Sequence, residues 1–346
     1  MDSLANRLIA AEILGRSASG SCDAFATPTC NRISPRQTSS GQFVPKPGYF
    51  PPTGDDTIAG GIFCISLTDL ASYLARVGNN PAATGTESPR GSGSTTSGSG
   101  PYPAQAFTDT TLPKHTIYAP KTPPAGLKSG MPVIAWGNGG CATDPTTHKN
   151  LLIEIASHGY VIAADGVAGG NTGASQSMVK DMKASVDWLV GGGAAKYGSV
   201  NTSALTTMGH SCGGLESMST AYHDDRVKRI VMFNIGIFQD EKRYLLQEIK
   251  VPVAWFIGGS KDMGYPNVEK DYRLLPAGLP AYKASLDTGH GGTFAATNGG
   301  KQGKAAVAYL EWQFRSDEAA KAKLLDPKAA GSLVSDNWTV EFKNWT

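Results

Sequence analysis

The sequence lacks a long hydrophobic run, a large excess of charge and a cluster of metal-binding residues. None of its apolar stretches approaches the roughly 18 residues that a membrane-spanning helix needs, so we expect no membrane span. Its 31 Lys and Arg against 29 Asp and Glu give a formal net charge of +2, which argues against a nucleic-acid partner. Because no group of His, Cys and carboxylate residues has the spacing of metal ligands, we expect no metal and no organic cofactor.

Cysteine is scarce, with five residues in a chain of 346. Cys22 and Cys30 lie in a stretch rich in Pro, Thr and Ser, which favours an oxidising compartment. We therefore expect a secreted protein, although charged residues interrupt residues 1–15 where an intact secretory signal would be apolar. The alternative is a cytosolic enzyme with reduced thiols. Cys212 is expected to be a buried free thiol, which leaves three possible disulfide pairings among Cys22, Cys30, Cys64 and Cys141.

The chain divides into two predicted parts. Residues 1–103 form an N-terminal extension, in which an irregular segment rich in Cys, Pro, Gly and Ser leads into a flexible linker. In residues 104–346, short apolar segments alternate with helical patterns, which predicts an α/β domain with a doubly wound, mostly parallel sheet flanked by helices. The predicted strands are 115–119, 132–136, 160–165, 204–208, 229–233, 252–257 and 284–287. The predicted helices include 148–158, 175–190 and a long one from 301 to about 325.

The most informative motif is Gly209-His210-Ser211-Cys212-Gly213, which follows an apolar run and precedes a helical pattern. A G-x-S-x-G sequence in this context is typical of the nucleophile elbow, a sharp strand-to-helix turn that exposes a serine hydroxyl. Ser211 is therefore predicted to attack an acyl carbon. The alternative is a Gly-rich turn whose serine only caps a helix.

A serine hydroxyl becomes a good nucleophile when a neighbouring base takes its proton and an acid orients that base. In proteins with this elbow, the acid and then the histidine follow the serine along the chain. Of the six histidines, His290 alone comes late, on a Gly-rich loop after the last predicted strand, and it is the predicted base. Asp262, in the loop after strand 252–257, is the predicted acid, and Asp287 is its rival. The alternatives are a loop histidine without a role and an ordinary turn aspartate.

The tetrahedral intermediate of acyl transfer needs two preorganised N–H donors for its oxyanion. The residue after the nucleophile, Cys212, is predicted to supply one of them. The second is expected at Gly140 or Cys141, in the Gly-rich loop after strand 132–136, where glycines let the backbone approach the reacting carbon. Cys141 would then act through its backbone, which leaves its sulfur free to form a disulfide. The alternative for this loop is a plain turn.

With these motifs in this order, residues 104–325 resemble the α/β-hydrolase superfamily, and within it the polyesterases, cutinase-like lipases and dienelactone hydrolases. The resemblance is carried by residues 132–134, 156–162, 208–211 and 287–290. The string Trp136-Gly137-Asn138-Gly139-Gly140-Cys141 also resembles secreted fungal members. The resemblance implies an α/β-hydrolase fold, with Ser211, Asp262 and His290 as nucleophile, acid and base, and with Cys141 and Cys212 at the oxyanion positions.

The sequence therefore predicts a serine carboxylic-ester hydrolase that works through an acyl-enzyme. Its substrate is expected to be a small-molecule or polymeric ester, and the protein is expected to be a monomer. The predicted connection between strands 229–233 and 252–257 is too short for a large cap domain. An acyltransferase, or a biosynthetic lyase or cyclase, would use the same triad, because water and an alcohol compete for one acyl-enzyme. A further alternative is a secreted binding protein whose triad is vestigial.

Overall fold

The computed structural model describes residues 94–170 and 176–345, together with two short strands, β1 (Arg36–Gln37) and β2 (Phe43–Val44), which pair antiparallel. The predictions for the rest of the N-terminal extension, including those for Cys22, Cys30 and Cys64, lie outside the described residues. None of the helices in the described part of the chain is long and apolar enough to cross a membrane.

A nine-stranded, mostly parallel sheet forms the centre of the described region. Its strands are β3 (Ala104–Thr108), β4 (His115–Pro120), β5 (Met131–Gly137), β6 (Val161–Asp165), β7 (Val200–His210), β8 (Val227–Phe233), β9 (Val253–Ile257), β10 (Ala281–Ser285) and β11 (Thr339–Lys343). Their spatial order is β11-β10-β9-β8-β7-β5-β6-β4-β3. The strands from β10 across to β6 run parallel, whereas β4 pairs antiparallel with β6, β3 with β4 and β11 with β10.

Helices cover both faces of this sheet. On one face lie α1 (Lys149–Ser157), α5 (Gly300–Arg315) and α6 (Glu318–Leu325), and on the other lie α2 (Val179–Val190), α3 (Cys212–Ala221) and α4 (Tyr265–Leu274). Successive residues of a strand point to opposite faces. In β5, Val133 and Ala135 pack with α2 and α3, while Ile134 and Trp136 pack with α1 and α5. The predicted α/β architecture, with a mostly parallel sheet flanked by helices, is confirmed.

The C-terminal region differs from the prediction in two ways. The single long helix expected from 301 to about 325 is wrong, because Ser316 adopts a left-handed conformation, with φ +54°, that ends α5. Asp317 then accepts hydrogen bonds from the N–H groups of Ala319 and Ala320 and begins α6. Strand β11 was not predicted, although Val340 and Phe342 alternate with polar residues in it; it is a short edge strand with no buried residue.

The connection from β8 to β9, residues 234–252, contains one 3₁₀ helix, Asp240–Glu248, and is packed closely against the body of the protein. Buried Arg243 lies in this helix, and its Nε is 2.8 Å from Oδ1 of Asp271 in α4. The other carboxylate oxygen of Asp271 accepts the Ile237 N–H at 2.6 Å. These bonds anchor the connection, and no large cap domain is inserted between β8 and β9.

Residues 94–103, the end of the predicted extension, lie against α1. The N–H and hydroxyl of Ser99 donate to the carboxylate of buried Glu154, at 2.7 and 2.5 Å. Gly100 and Tyr102 donate their N–H groups to the hydroxyl and the carbonyl oxygen of Ser157, both at 2.9 Å. The chain therefore enters β3 from a segment that is already hydrogen-bonded to the domain.

Candidate active site

Ser211 occupies a strained turn between β7 and α3, at the carboxyl end of a central parallel strand. Its backbone has φ +52° and ψ −122°, a region that a residue with a Cβ adopts at a cost in energy. The Ser211 N–H donates to the carbonyl oxygen of Phe233, the last residue of the neighbouring β8, at 2.9 Å. This bond holds the turn above the sheet edge, where the hydroxyl is partly exposed.

Three of the predicted residues meet at this edge. The Nε2 of His290, on the loop after β10, is 2.9 Å from the Ser211 hydroxyl oxygen. The Nδ1 of the same ring is 2.8 Å from Oδ1 of Asp262, which lies on the loop after β9. The Asp262 carboxylate is buried and also accepts the N–H groups of Gly258 at 3.0 Å and Gly264 at 2.9 Å. It is therefore fixed in the orientation that the imidazole needs.

Asp287, the rival acid, does not take part in this arrangement. Strand β10 ends at Ser285, and the Asp287 side chain is 65% exposed. Its nearest charged neighbour is Lys261, at 3.7 Å. The structure thus places Asp262, and not Asp287, beside the imidazole of His290.

The main chain of the His290 loop is held by residues that the sequence did not indicate. The carbonyl oxygen of His290 accepts from Nδ2 of Asn234 at 2.8 Å and from Nε2 of His210 at 2.9 Å. Asn234 also donates to the carbonyl oxygen of Gly289 at 3.0 Å, and its own amide oxygen accepts from Gln302 at 2.9 Å. The only signal in the sequence is a polar residue, Asn234, directly after the apolar strand β8.

His210, the residue before Ser211, forms a buried pair with His148. Nδ1 of His210 is 3.1 Å from Nε2 of His148. Since the Nε2 of His210 donates to a carbonyl, its Nδ1 accepts from His148. Burial lowers the pKa of His148 to about 4, and burial together with the nearby histidines lowers the pKa of His210 well below its ordinary value. Both rings are therefore neutral and serve the hydrogen-bond network behind the loop.

Two carboxyl groups are buried behind the loop that follows β5. Asp165 and Glu216 are both fully buried, and the Ser177 hydroxyl donates to Glu216 at 3.0 Å. Burial raises the pKa of Asp165 to about 6, and burial together with the charge of Asp165 raises the pKa of Glu216 well above its ordinary value. His115 approaches Asp165 at 3.4 Å. Within the described residues, no group of three or more His, Cys, Asp or Glu could hold a metal ion.

The predicted oxyanion residues lie together but differ from expectation in one respect. After β5 the chain forms a 3₁₀ turn, Gly139–Cys141, and Cys141 is joined by a disulfide to Cys212, with a Cα–Cα distance of 5.2 Å. The prediction of a free thiol at Cys212 is therefore wrong, and so is the expected pairing of Cys141 with Cys22, Cys30 or Cys64. Because β5 and β7 are neighbours in the sheet, the residues after their carboxyl ends meet.

The backbone donors of this turn are not equivalent. The Cys141 N–H donates to the carbonyl oxygen of Asn138 at 3.2 Å and so takes part in the turn itself. Cys212 is the first residue of α3, so its N–H has no intrahelical acceptor. Across the described ranges, neither this N–H nor that of Gly140 donates to a protein acceptor. Of the two expected loop donors, Gly140 is thus the one with an N–H to offer.

The chain matches none of the protein-family models with which it was compared, and no curated protein matches it.

The chemistry available at this site follows from its geometry. A neutral imidazole between a hydroxyl and a buried carboxylate can take the proton of the hydroxyl, because the carboxylate stabilises the imidazolium that forms. A helix N-terminus beside the hydroxyl offers N–H groups and a positive dipole end to a developing negative charge. The arrangement is suited to attack by Ser211 on a carbonyl carbon.

Proposed function

We propose that this protein is a serine carboxylic-ester hydrolase of the α/β-hydrolase superfamily. The observation that carries the proposal is the hydrogen-bonded chain from the Ser211 hydroxyl through His290 to Asp262, with distances of 2.9 and 2.8 Å. It stands on a strained turn at the carboxyl edge of a parallel sheet, where enzymes of this superfamily carry their nucleophile. The order of Ser211, Asp262 and His290 along the chain also fits that superfamily.

In the proposed reaction, Nε2 of His290 takes the proton of Ser211 while the serine oxygen attacks the ester carbonyl carbon. The N–H groups of Cys212 and Gly140 stabilise the oxyanion of the tetrahedral intermediate. His290 then gives its proton to the leaving alkoxide, and the acyl group remains on Ser211. Water, activated by the same imidazole, attacks the acyl-enzyme and releases the acid. Asp262 keeps the imidazole in the tautomer that presents Nε2 to Ser211 throughout.

We also propose that the protein is secreted. The buried Cys141–Cys212 disulfide supports it, because structural disulfides form and persist in oxidising compartments.

The short connection between β8 and β9 supports a site that is open on that side, which suits a bulky or polymeric ester as well as a small one.

The test is hydrolysis of p-nitrophenyl esters of graded acyl length by the wild type and by Ser211→Ala. Removal of the nucleophile should lower kcat by several orders of magnitude, to the roughly 10³–10⁴-fold acceleration that binding and an oxyanion site retain on their own. Ser199→Ala is a matched control, because Ser199 is exposed and precedes β7, at the amino end of the strand whose carboxyl end carries Ser211. Unchanged turnover in Ser211→Ala would contradict the proposal. Absence of fluorophosphonate labelling of Ser211 in the folded wild type would instead favour a non-catalytic binding protein.

A further inference from the structure

A disulfide joins the two segments that carry the proposed oxyanion donors. Cys212 begins α3 directly after the nucleophile, and Cys141 ends the turn after β5. The two residues are 2% and 1% exposed, so the bond is buried beneath the site. It is therefore a covalent link between the elbow and the loop that faces it.

The loop needs such a link, because its own backbone is strained. Gly140 and Cys141 both have positive φ, +64° and +50°. Glycine adopts this conformation freely, but a residue with a Cβ does so only where the surroundings hold it. Besides the disulfide and its packing, the turn is held by hydrogen bonds that include those from the Ser177 N–H to the Cys141 carbonyl oxygen at 2.8 Å and from the Gln176 amide to the Gly140 carbonyl oxygen at 3.3 Å.

We propose that the Cys141–Cys212 disulfide is a positioning element for the reaction, and that full turnover requires the oxidised pair. The inference rests on the proposed hydrolase function. The bond fixes the distance between the N–H of Cys212 and the N–H of Gly140. An oxyanion donor acts only when it lies about 2.7–3.1 Å from the developing charge, and loss of one donor costs about 10²–10³ in kcat. Without the link, the strained turn relaxes and the donor on the loop moves out of place.

Reduction by a dithiol converts the bond into two thiols. A thiolate of the dithiol attacks one cysteine sulfur and releases the other as a thiolate, and the second thiol of the reagent then closes a cyclic disulfide. Two electrons and two protons pass to the protein, and the reagent is oxidised. Because both sulfurs are buried, the reaction needs the loop to open first, so reduction and loosening of the site go together.

The experiment compares the wild type, before and after treatment with dithiothreitol, with the double variant Cys141→Ala/Cys212→Ala, using a p-nitrophenyl ester. We expect kcat to fall by about 10–10³-fold in the reduced protein and in the variant, with little change in KM. The affinity for a boronic acid, which mimics the tetrahedral intermediate, should fall in parallel. Glutathione disulfide should restore the reduced wild type. Dithiothreitol should have no further effect on the variant, which controls for reduction of other cysteines.

Mass spectrometry after alkylation reports whether Cys141 and Cys212 were reduced, and circular dichroism at the assay temperature reports whether the fold is kept. The inference would be overturned if kcat stayed unchanged in a sample in which mass spectrometry shows that Cys141 and Cys212 were both reduced. Unfolding of the reduced protein and of the variant would also overturn it, because the bond would then be a staple for the fold only. If the oxidised wild type hydrolyses none of the esters, the proposed function fails, and that result is obtained before the disulfide is altered.

Discussion

Gly213 in α3 lies directly against Gly137, the last residue of β5, so closely that a Cβ on Gly213 would come within 2.0 Å of the Gly137 carbonyl carbon. The Gly213 N–H donates to the carbonyl oxygen of Asn138 at 3.0 Å. Gly209 is equally constrained, since its Cβ would come within 2.2 Å of the Gly213 carbonyl oxygen. The two glycines of the G-x-S-x-G motif are therefore required where the start of α3 crosses β5 and β7.

Gly213→Ala is expected to destabilise the protein and to reduce its activity. The added methyl group meets backbone atoms, which cannot move aside as a side chain can, so we expect a loss of about 1–3 kcal/mol or more in the free energy of unfolding. A displacement of about 1 Å between the nucleophile and the oxyanion loop would lower kcat by about 100-fold. Urea denaturation and ester hydrolysis measure the two effects. Gly291→Ala is the control, because a Cβ at residue 291 would have no heavy atom within 4 Å apart from its chain neighbours. Equal effects of the two substitutions would contradict the steric argument.

Asp262→Asn should lower kcat by about 10⁴-fold. Asparagine has one acceptor oxygen and one NH2 group in place of two carboxylate oxygens. When the NH2 group faces Nδ1 of His290 it donates to that nitrogen, so the ring is held in the wrong tautomer for proton transfer from Ser211. Asp287→Asn is a matched control on the exposed rival, and we expect it to keep nearly full activity. Steady-state kinetics of both variants decides between the two aspartates. A large loss in Asp287→Asn together with retained activity in Asp262→Asn would reverse the assignment.

The parts of this site that the sequence predicted are those that depend on residue type and chain order. Ser211, Asp262 and His290 could be chosen because an acyl-transfer site needs a hydroxyl, an acid and an imidazole, and because apolar strands precede each of them. Strands β4 to β10 were predictable because both faces of the sheet are buried there, which gives apolar runs. The two edge strands β3 and β11, whose residues are mostly exposed, were not predicted.

The parts that were missed act through the backbone or depend on topology. Asn234 supports His290 by binding main-chain carbonyls, a role that many residue types could fill and that leaves no motif. The disulfide was missed although the resemblance implied that Cys141 and Cys212 occupy the two oxyanion positions. Bonding of their sulfurs depends on the Cα–Cα distance of 5.2 Å that the neighbouring strands β5 and β7 produce, and no local pattern in the chain gives that distance.

Asn234→Ala should lower kcat by about 10–100-fold with a small change in KM. The substitution leaves the carbonyl oxygens of Gly289 and His290 without their amide donor, so the loop that presents the imidazole loses its support. Asn234 also has a positive φ, +55°, so alanine adds a backbone cost. Asn337→Ala controls for that cost, because Asn337 is exposed and has φ +68°. Kinetics and thermal unfolding of both variants separate the two effects. If Asn234→Ala and Asn337→Ala lose the same stability and Asn234→Ala keeps its full kcat, Asn234 has no positioning role.

The buried carboxyls Glu216 and Asp165 give the protein a pH-dependent stability with a defined sign. Burial raises the pKa of each group in the folded state, so the folded protein binds these protons more tightly than the unfolded chain does. This contribution to stability is fully present below the ordinary carboxyl pKa of about 4, and it is lost as the pH rises through about 6 and beyond. We therefore expect the Tm of the wild type to fall between pH 5 and pH 8.

Glu216→Gln should reduce that fall, because glutamine keeps the shape of the side chain and its hydrogen bond with Ser177 but has no proton to lose. A raised pKa costs about 1.4 kcal/mol per unit once the group ionises, so the variant should gain a few degrees in Tm on the wild type at pH 8 and little at pH 5. Because the charge of Asp165 contributes to the raised pKa of Glu216, the substitution also removes the effect of Glu216 on Asp165, and the difference between the two curves reports the pair. Glu241→Gln, at an exposed position, removes one carboxylate from the surface and should leave the pH dependence of the wild type unchanged. Calorimetry gives the Tm of the three proteins from pH 5 to pH 8. If the Tm of Glu216→Gln and that of the wild type change with pH in parallel, Glu216 does not govern the pH dependence.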